Sequence, residues 1–475
     1  MDITRFLKAN VKPATGCTEP IAVGYAVSLA YNALIGRMPP DFKGSYLQPK
    51  ARQLEKIHIK TDRDVYKNAL AIKIPGTNGQ KGIAIAAAMG FYALPEKELD
   101  IFNNLDNEII FRANNLISQG KVAVEKVDDT KDTSDLDISV SLDYLIGTRP
   151  RNSYVRLQHE HTNISEIRVD NKIVYQNGLF KKTVKRQEEI PDSIDELLHI
   201  IKNATDKEKN EVYKGIEMNM KMAEAGLSGK YGLAIGKSLS EMASSGVIAN
   251  SIITEIKIMA AAAGDARMGG ADMPVMSTSG SGNQGITALV PLAVIGKKYN
   301  ISKEKLSEAA LLSHIITKKI SNYSGYLSAI CGCAIKAGIG AAAGVTYLLG
   351  GDSEKINNAI NLMAANLTGM VCDGAKEGCA LKLSTAAATA AESAFMAMAN
   401  ISVPGDNGIV NRNANETMKN IGKISKEMVK TDLKIVEIMQ SKAGHAEAKT
   451  TKPHFEDPFG ERMAMAAYKA RNSKA

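Results

Sequence analysis

Residues 329–351 read AICGCAIKAGIGAAAGVTYLLGG, an apolar stretch that opens on two cysteines and is otherwise built mostly of alanine and glycine. It is long enough to cross a bilayer. Lys336 lies inside it, however, and six glycines interrupt it. The cost of a charge in mid-membrane makes it a buried helix of a globular protein, with no membrane partner. Outward from this stretch the helical period persists. Runs rich in Ala, Met and Leu recur at 211–227, 231–264, 285–297, 303–320, 354–370, 380–399 and 415–443, without strand alternation. The expectation is a large all-helical domain over 186–475. Composition agrees: aromatic residues are 5%, Trp is absent and Met reaches 20, so the core must be closed by small and flexible side chains.

Toward the N-terminus the period shortens. Lys56–Ile59, Leu70–Ile74, Leu136–Leu142 and Val155–Leu157 alternate apolar with polar residues. Ile164–Val169 and Ile173–Tyr175 flank Asp170-Asn171-Lys172, a hairpin-turn sequence. Helical stretches near 83–94 and 97–118 lie between these runs. Residues 51–185 therefore read as an α+β domain, and the polar run KKTVKRQEEIPD at 181–192 marks its end. Residues 1–50 read as a helical segment with a loop at Lys12–Pro20, carrying Cys17 and packing on the helical domain. The fold class is α+β.

The chain of 475 residues carries 59 Lys and Arg against 51 Asp and Glu, a net charge of +8. The charges are interspersed and no basic stripe carries aromatic residues, which argues against nucleic acid as partner. The segment MDITRFLKANVKP has no apolar core of a secretory signal, so the expected compartment is the cytoplasm. Faces rich in Ala, Gly and Met suit a homodimer.

Five cysteines are present, at 17, 331, 333, 372 and 379. In a reducing compartment disulfides are not expected. Four of them form two tight groups, Cys331-Gly332-Cys333 and Cys372-Asp373-Gly374-Ala375-Lys376-Glu377-Gly378-Cys379. Thiolates select iron–sulfur clusters or zinc. Gly374 and Gly378 allow the second group to fold back so that both sulfurs face one point. The spacing matches neither a zinc ribbon nor the ferredoxin run, so a metal or cluster, inert buried thiols and redox thiols all remain open on spacing alone. Two glycine-rich segments add to the pattern, AAAGDARMGG at 261–270 and STSGSGNQG at 277–285. The second opens an apolar helix, whose free N–H groups would cradle a carboxylate. Ser279, Gly280, Ser281 and Asn283 are its candidate contacts; a helix cap with a flexible loop is the alternative.

Cys17, in ATGCTEP, stands just before a helix, where the dipole would draw its thiol toward thiolate. It is a candidate base, nucleophile or fourth cluster ligand. His159 and His161 fall at strand spacing, and His314 sits on an apolar helix. Lys318-Lys319 could hold pyridoxal phosphate as a Schiff base, although adjacent lysines more often form a solvated face. No zinc-hydrolase His spacing and no nucleophile elbow is found.

Five stretches together resemble the L-cysteine desulfidase family, the UPF0597 group, which is related to the catalytic domain of iron–sulfur L-serine dehydratases. They are ATGCTEPIA (14–22), HTNI (161–164), TSGSGNQG (278–285), LSAICGCAIKAGIGAAAGVTYLLGG (327–351) and CDGAKEGCALK (372–382). The resemblance implies a [4Fe–4S] cluster held by three cysteines with one iron open to substrate. Carried over, Cys372 and Cys379 are ligands and Cys331 is the third, with Cys333 as its alternative. It also implies β-elimination of L-cysteine to sulfide, pyruvate and ammonia. Cys17 would act as base, with Lys318 or His314 behind it, and His161 or Arg168 would face the pocket. L-Serine dehydration by the same chemistry and a non-enzymatic sulfur carrier are the alternatives. No cysteine follows Cys379, so a tail cysteine that plugs the cluster is not expected.

Overall fold

The computed structural model describes residues 1–77, 79–102, 105–126, 136–177, 190–325 and 327–443. The chain begins with α1 (Ile3–Asn10), β1 (Pro13–Thr15) and α2 (Thr18–Leu34). Then follow β2 (Leu54–Thr61), α3 (Arg63–Ala69), α4 (Ile83–Gly90), α5 (Asn107–Ser118), β3 (Val122–Lys126), β4 (Asp137–Ile146), β5 (Arg149–Gln158), β6 (Ile164–Val169) and β7 (Lys172–Gln176). The strands from β2 to β7 form one six-stranded sheet in the order β3-β2-β4-β5-β6-β7. β2 and β3 run parallel, and the other neighbours are antiparallel. Alternation sets the faces: Ile138, Val140 and Leu142 of β4 and Val155 and Leu157 of β5 are all buried on the helix-covered side. The turn from β6 to β7 has positive φ at both Asp170 and Asn171, as a tight hairpin requires.

α2 is apolar nearly all round and every residue of it is buried. It crosses β4 and β5 and packs on α4, and its residues from Ile21 to Leu34 belong to the core beneath the sheet. α1 instead joins the helical core through Ile3, Phe6 and Leu7. The first 50 residues are thus divided between two cores, where the sequence reading treats them as one segment against the helical domain. The run Leu70–Ile74 is not a strand. α3 ends at Ala69, and only a single bridge, Lys73 to Lys81, follows.

The remainder is α6 (Ile194–Lys202), α7 (Asp206–Leu227), α8 (Ile235–Ser244), α9 (Ile252–Met268), β8 (Pro274–Met276), α10 (Gly282–Lys298), α11 (Lys303–Ser324), α12 (Lys336–Leu348), α13 (Ser353–Leu367), α14 (Cys379–Met398), α15 (Ala414–Glu427) and α16 (Val429–Ala443). The run of helical period over 231–264 comprises two helices, α8 and α9, and Ser251 caps the second by accepting from Thr254 N. α12 is wholly buried and packs against α10, α11, α13 and α14. Among the described residues no helix is long and apolar enough to cross a membrane. Positions 181–189 of the boundary run and the tail beyond 443 lie outside the described residues.

β8 is a strand that the helical period does not reveal. It pairs antiparallel with β1, Ala14 opposite Val275, and Ser277 N donates to Lys12 O at 2.8 Å. This two-stranded ribbon fastens the segment before α2 to the segment before α10.

α2 and α4 cross where each has a glycine. A Cβ on Gly90 would stand 2.2 Å from Gly24 O, a backbone atom that cannot yield without moving a helix. Gly90→Val should therefore lower stability by at least about 2 kcal/mol, the usual order for overpacking. Urea denaturation followed by far-UV circular dichroism measures it, and an unchanged midpoint would contradict the packing described.

Candidate active site

The starts of four helices meet at one cavity. Cys17, Thr18 and Glu19 at the head of α2, Ser281, Asn283 and Gln284 at that of α10, Lys336 of α12, and Cys379 and Lys382 of α14 all line it. The space between these residues is about 740 Å³, open solvent at its mouth included.

The thiols arrive by three routes. Ile330 and Val371 form a single antiparallel bridge, with Cys331 N donating to Met370 O at 2.8 Å and Cys372 N to Ala329 O at 2.7 Å. Alternation about that bridge turns Cys331 and Cys372 to the same side. Cys333 follows in the turn before α12, with its sulfur 3.4 Å from that of Cys331. Gly374, at φ +87°, then reverses the chain and brings Cys379 in as the first residue of α14. Ion pairs hold this 373–378 loop: Asp373 with Lys382 and, at 2.5 Å, with Lys376, and Glu377 with Lys73 of the α+β domain at 2.6 Å.

All four of these cysteines line the cavity. Hydrogen bonding from Cys333 draws the Cys331 thiol down to about 7, and Lys382 adds to this. Cys333 is pushed up, first by that same hydrogen bond and then by burial. Burial also raises Cys372 and takes Cys379 to about 11, opposed by Lys67 at the former and by Lys376 at the latter. The cations Lys67, Lys376 and Lys382 thus surround the sulfurs. Among the described residues no three His, Cys, Asp or Glu side chains converge to hold a single metal ion. Four thiols line the cavity together with lysines and helix starts, a donor set of the kind that iron–sulfur clusters take.

The glycine-rich turn faces them. Thr278 and Ser281 exchange backbone hydrogen bonds at 3.1 Å, and Ser279 and Gly280 between them have φ +47° and +78°. Ser281 caps α10 by accepting from Gln284 N. Asn283 Oδ1 accepts from Arg267 Nη1 at 2.8 Å, while Arg267 Nη2 donates to Gly16 O at 2.5 Å. Arg267 therefore clamps the Cys17 segment to the turn. Ser281 and Asn283 are occupied in building the site. Ser279 Oγ, 2% exposed, has no hydrogen-bond partner and is the side-chain donor left for a ligand.

Cys17 is the N-cap residue of α2 but makes no cap bond with its side chain. Its sulfur donates to Glu19 Oε2 at 2.8 Å. Burial, followed by the Glu19 charge, raises its pKa well above the ordinary value, so the expected pull toward thiolate is outweighed. Cys17 is a thiol at neutral pH. Glu19 Oε2 also accepts from Thr18 Oγ1 at 3.3 Å, and Oε1 from Asn68 Nδ2 at 3.0 Å. Burial opposes its charge, but His161 and these donors outweigh it and hold Glu19 below the usual carboxylate range.

The other expected residues lie elsewhere. His161 is buried behind Glu19 and is not on the cavity wall. β5 ends at Gln158, and His159 follows at φ +68° on the exposed side, so the two histidines share no strand face. Arg168 is paired with Glu166 on the open sheet, over Tyr154, and does not turn inward. Lys318 does not line the cavity, and Lys319 is tied to Asp192 at 2.8 Å. His314 is also off the wall. Its Nδ1 lies 2.6 Å from Thr278 Oγ1, which places it as a support beneath the turn. Glu19, Asn68, Arg267, Gln284 and Lys382 were not singled out from sequence. Glu19 and Arg267 stand in stretches already marked, ATGCTEP and AAAGDARMGG; Asn68 has no local signal at all.

Residues 120–437 match the family model of the serine dehydratase alpha chain, and this chain belongs to that family. Its similar relatives are UPF0597 proteins. That of Caldanaerobacter subterraneus is 38% identical over 445 residues, 93% of this chain and 98% of the relative. Those of Desulfatibacillum aliphaticivorans and Alkaliphilus oremlandii are 34% and 35% identical, each over 447 residues, covering 92% and 93% of this chain and 97% and 98% of the relatives.

Burial lowers the His314 pKa to about 3, so the unfolded chain takes up the proton first as pH falls below the ordinary value of about 6.5. The stability from neutral His314 is complete above that value and is lost progressively toward pH 3. Between pH 7 and pH 5 the loss is about 2 kcal/mol. Urea midpoints at the two pH values should show it, and His314→Gln should flatten the difference; an equally steep dependence in that variant would contradict the assignment.

Proposed function

We propose that this chain is an iron–sulfur-dependent L-cysteine desulfidase that eliminates sulfide from L-cysteine to leave pyruvate and ammonia. The observation that carries the reading is the shared cavity: Cys331, Cys333, Cys372 and Cys379 line it together with the turn and helix start at Ser279–Gln284. A sulfur carrier without a substrate needs no such turn beside its thiols.

A [4Fe–4S] cluster held by Cys331, Cys372 and Cys379 supplies a Lewis-acidic iron for the leaving group or the carboxylate. The chain's own residues do the rest. Ser279 Oγ and the free N–H groups at the start of α10 receive the carboxylate. Arg267 keeps that turn in register with Cys17. Buried walls exclude water from the reacting carbon, and fixed placement makes the elimination close to intramolecular. Cys17, a protonated thiol, gives its proton to the departing sulfur, and the Cα proton replaces it on Sγ. The Cα–H pair becomes the Cα=Cβ bond as the Cβ–S bond breaks. The aminoacrylate released takes up water to give pyruvate and ammonia.

L-Serine is the second reading, favoured by the family match. Hydroxide is a poorer leaving group than sulfide, and a thiol proton at hand serves it equally.

Anaerobically purified protein should contain iron and sulfide and release pyruvate from L-cysteine faster than from L-serine. Pyruvate release unchanged by iron removal would contradict the mechanism. Cys379→Ala should lose both the cluster absorbance and turnover. Cys17→Ala should keep the absorbance and lose turnover by roughly 100-fold or more, the usual worth of a positioned proton-transfer group. Full turnover in Cys17→Ala would remove it from the reaction.

A further inference from the structure

We propose that Glu19 receives the α-ammonium group of the ligand and thereby makes the cavity selective for amino acids over otherwise identical acids without the amine. The inference rests on the reading above only in taking an amino acid to be the ligand class.

The charges on the wall are lopsided. Arg267, Lys336 and Lys382 line it, together with the four helix starts, all of which favour anions. Among the described lining residues Glu19 is the one carboxylate. It is 7% exposed, and the groups shown donating to it, Cys17, Thr18 and Asn68, are all neutral. These donors and His161 behind it outweigh burial and hold the carboxylate below its usual range, so it stands ionised on the wall. A cation brought in from the open side of the cavity meets that charge directly.

A second observation points the same way. Asn68 spends its Nδ2 on Glu19, and its Oδ1 is buried with no hydrogen-bond partner. A buried acceptor left open calls for a ligand that donates. An ammonium group is the ligand chemistry that offers several N–H donors and a positive charge at once. The opposite wall, with Ser279 Oγ and the start of α10, offers donors for a carboxylate. Acceptors with negative charge at one end and donors with positive charge at the other match a zwitterion. An acid lacking the amine would fill the donor end and leave Glu19 and Asn68 Oδ1 buried and unanswered.

L-Alanine and propionate test this directly. They differ only in the amine, and neither carries a leaving group, so binding is measured without turnover. Isothermal titration of the anaerobically purified full-length protein should show L-alanine binding at least roughly tenfold tighter than propionate, the least that a charge-assisted contact contributes. Glu19→Gln should weaken L-alanine by at least that factor and leave propionate unchanged or tighter, so that the preference collapses. Asn68→Asp, which adds a second negative charge at the same end, should widen it. A preference retained in Glu19→Gln, with the far-UV spectrum and urea midpoint of the parent, would overturn the proposal. So would binding of neither acid to the parent at millimolar concentration. Failure of the desulfidase reading shows itself separately, as absent pyruvate release from L-cysteine by a protein that still prefers L-alanine to propionate.

Discussion

The site depends on one electrostatic constraint: the starts of α2, α10, α12 and α14 all face a single cavity. Each start carries roughly half an elementary positive charge. Lys336, Lys382 and Arg267 add to them. Such a place is unstable unless anions occupy it, and the chain supplies thiols that can ionise there together with the Glu19 carboxylate. The Cys333 hydrogen bond and the Lys382 charge draw Cys331 toward ionisation, while at Cys17 burial and Glu19 outweigh Arg267. One cavity thus holds a thiol drawn toward ionisation, Cys331, and one kept protonated, Cys17.

The α+β domain contributes to the site by contact, not merely by adjacency. Its Lys73 holds Glu377 in the loop between Cys372 and Cys379. The Lys67 ammonium, 1% exposed, is paired with Asp432 of α16 at 2.7 Å and also answers the charge of Cys372. A Cβ on Gly374 would stand 2.5 Å from Lys67 O, so the reversal between the two cysteines is seated directly on α3. Asn68 of the same helix reaches Glu19. The ribbon of β1 and β8 completes the junction from the other side. The two cores therefore share the site between them, which gives the α+β domain a role that its own sequence does not declare.

Much of this is legible in the amino-acid sequence. Alternation in 136–142 and 164–175 marks β4, β6 and β7, and the small-residue run after Cys333 marks α12, because burial writes its period into apolar residues. The two groups of thiols and the turn at 278–285 were likewise marked by their residue types. The misses have physical reasons. β8 is three residues long, too short to show a period. Cys17 was read from its helix position alone, whereas its state is set by desolvation and by a carboxylate two residues on. His314 and Lys318 have the right chemistry but do not line the cavity. Asn68 acquires its importance only through a contact 49 positions away in the chain, which no local pattern encodes.

The convergence of the thiols on one anionic cofactor is tested most directly by iron anomalous scattering from crystals grown without oxygen. The account predicts iron density in the cavity bounded by Cys331, Cys372 and Cys379, with the Cys17 sulfur uncoordinated beside Glu19. Iron bound elsewhere, or those three sulfurs ordered and free of metal in a protein that still releases pyruvate from L-cysteine, would contradict it.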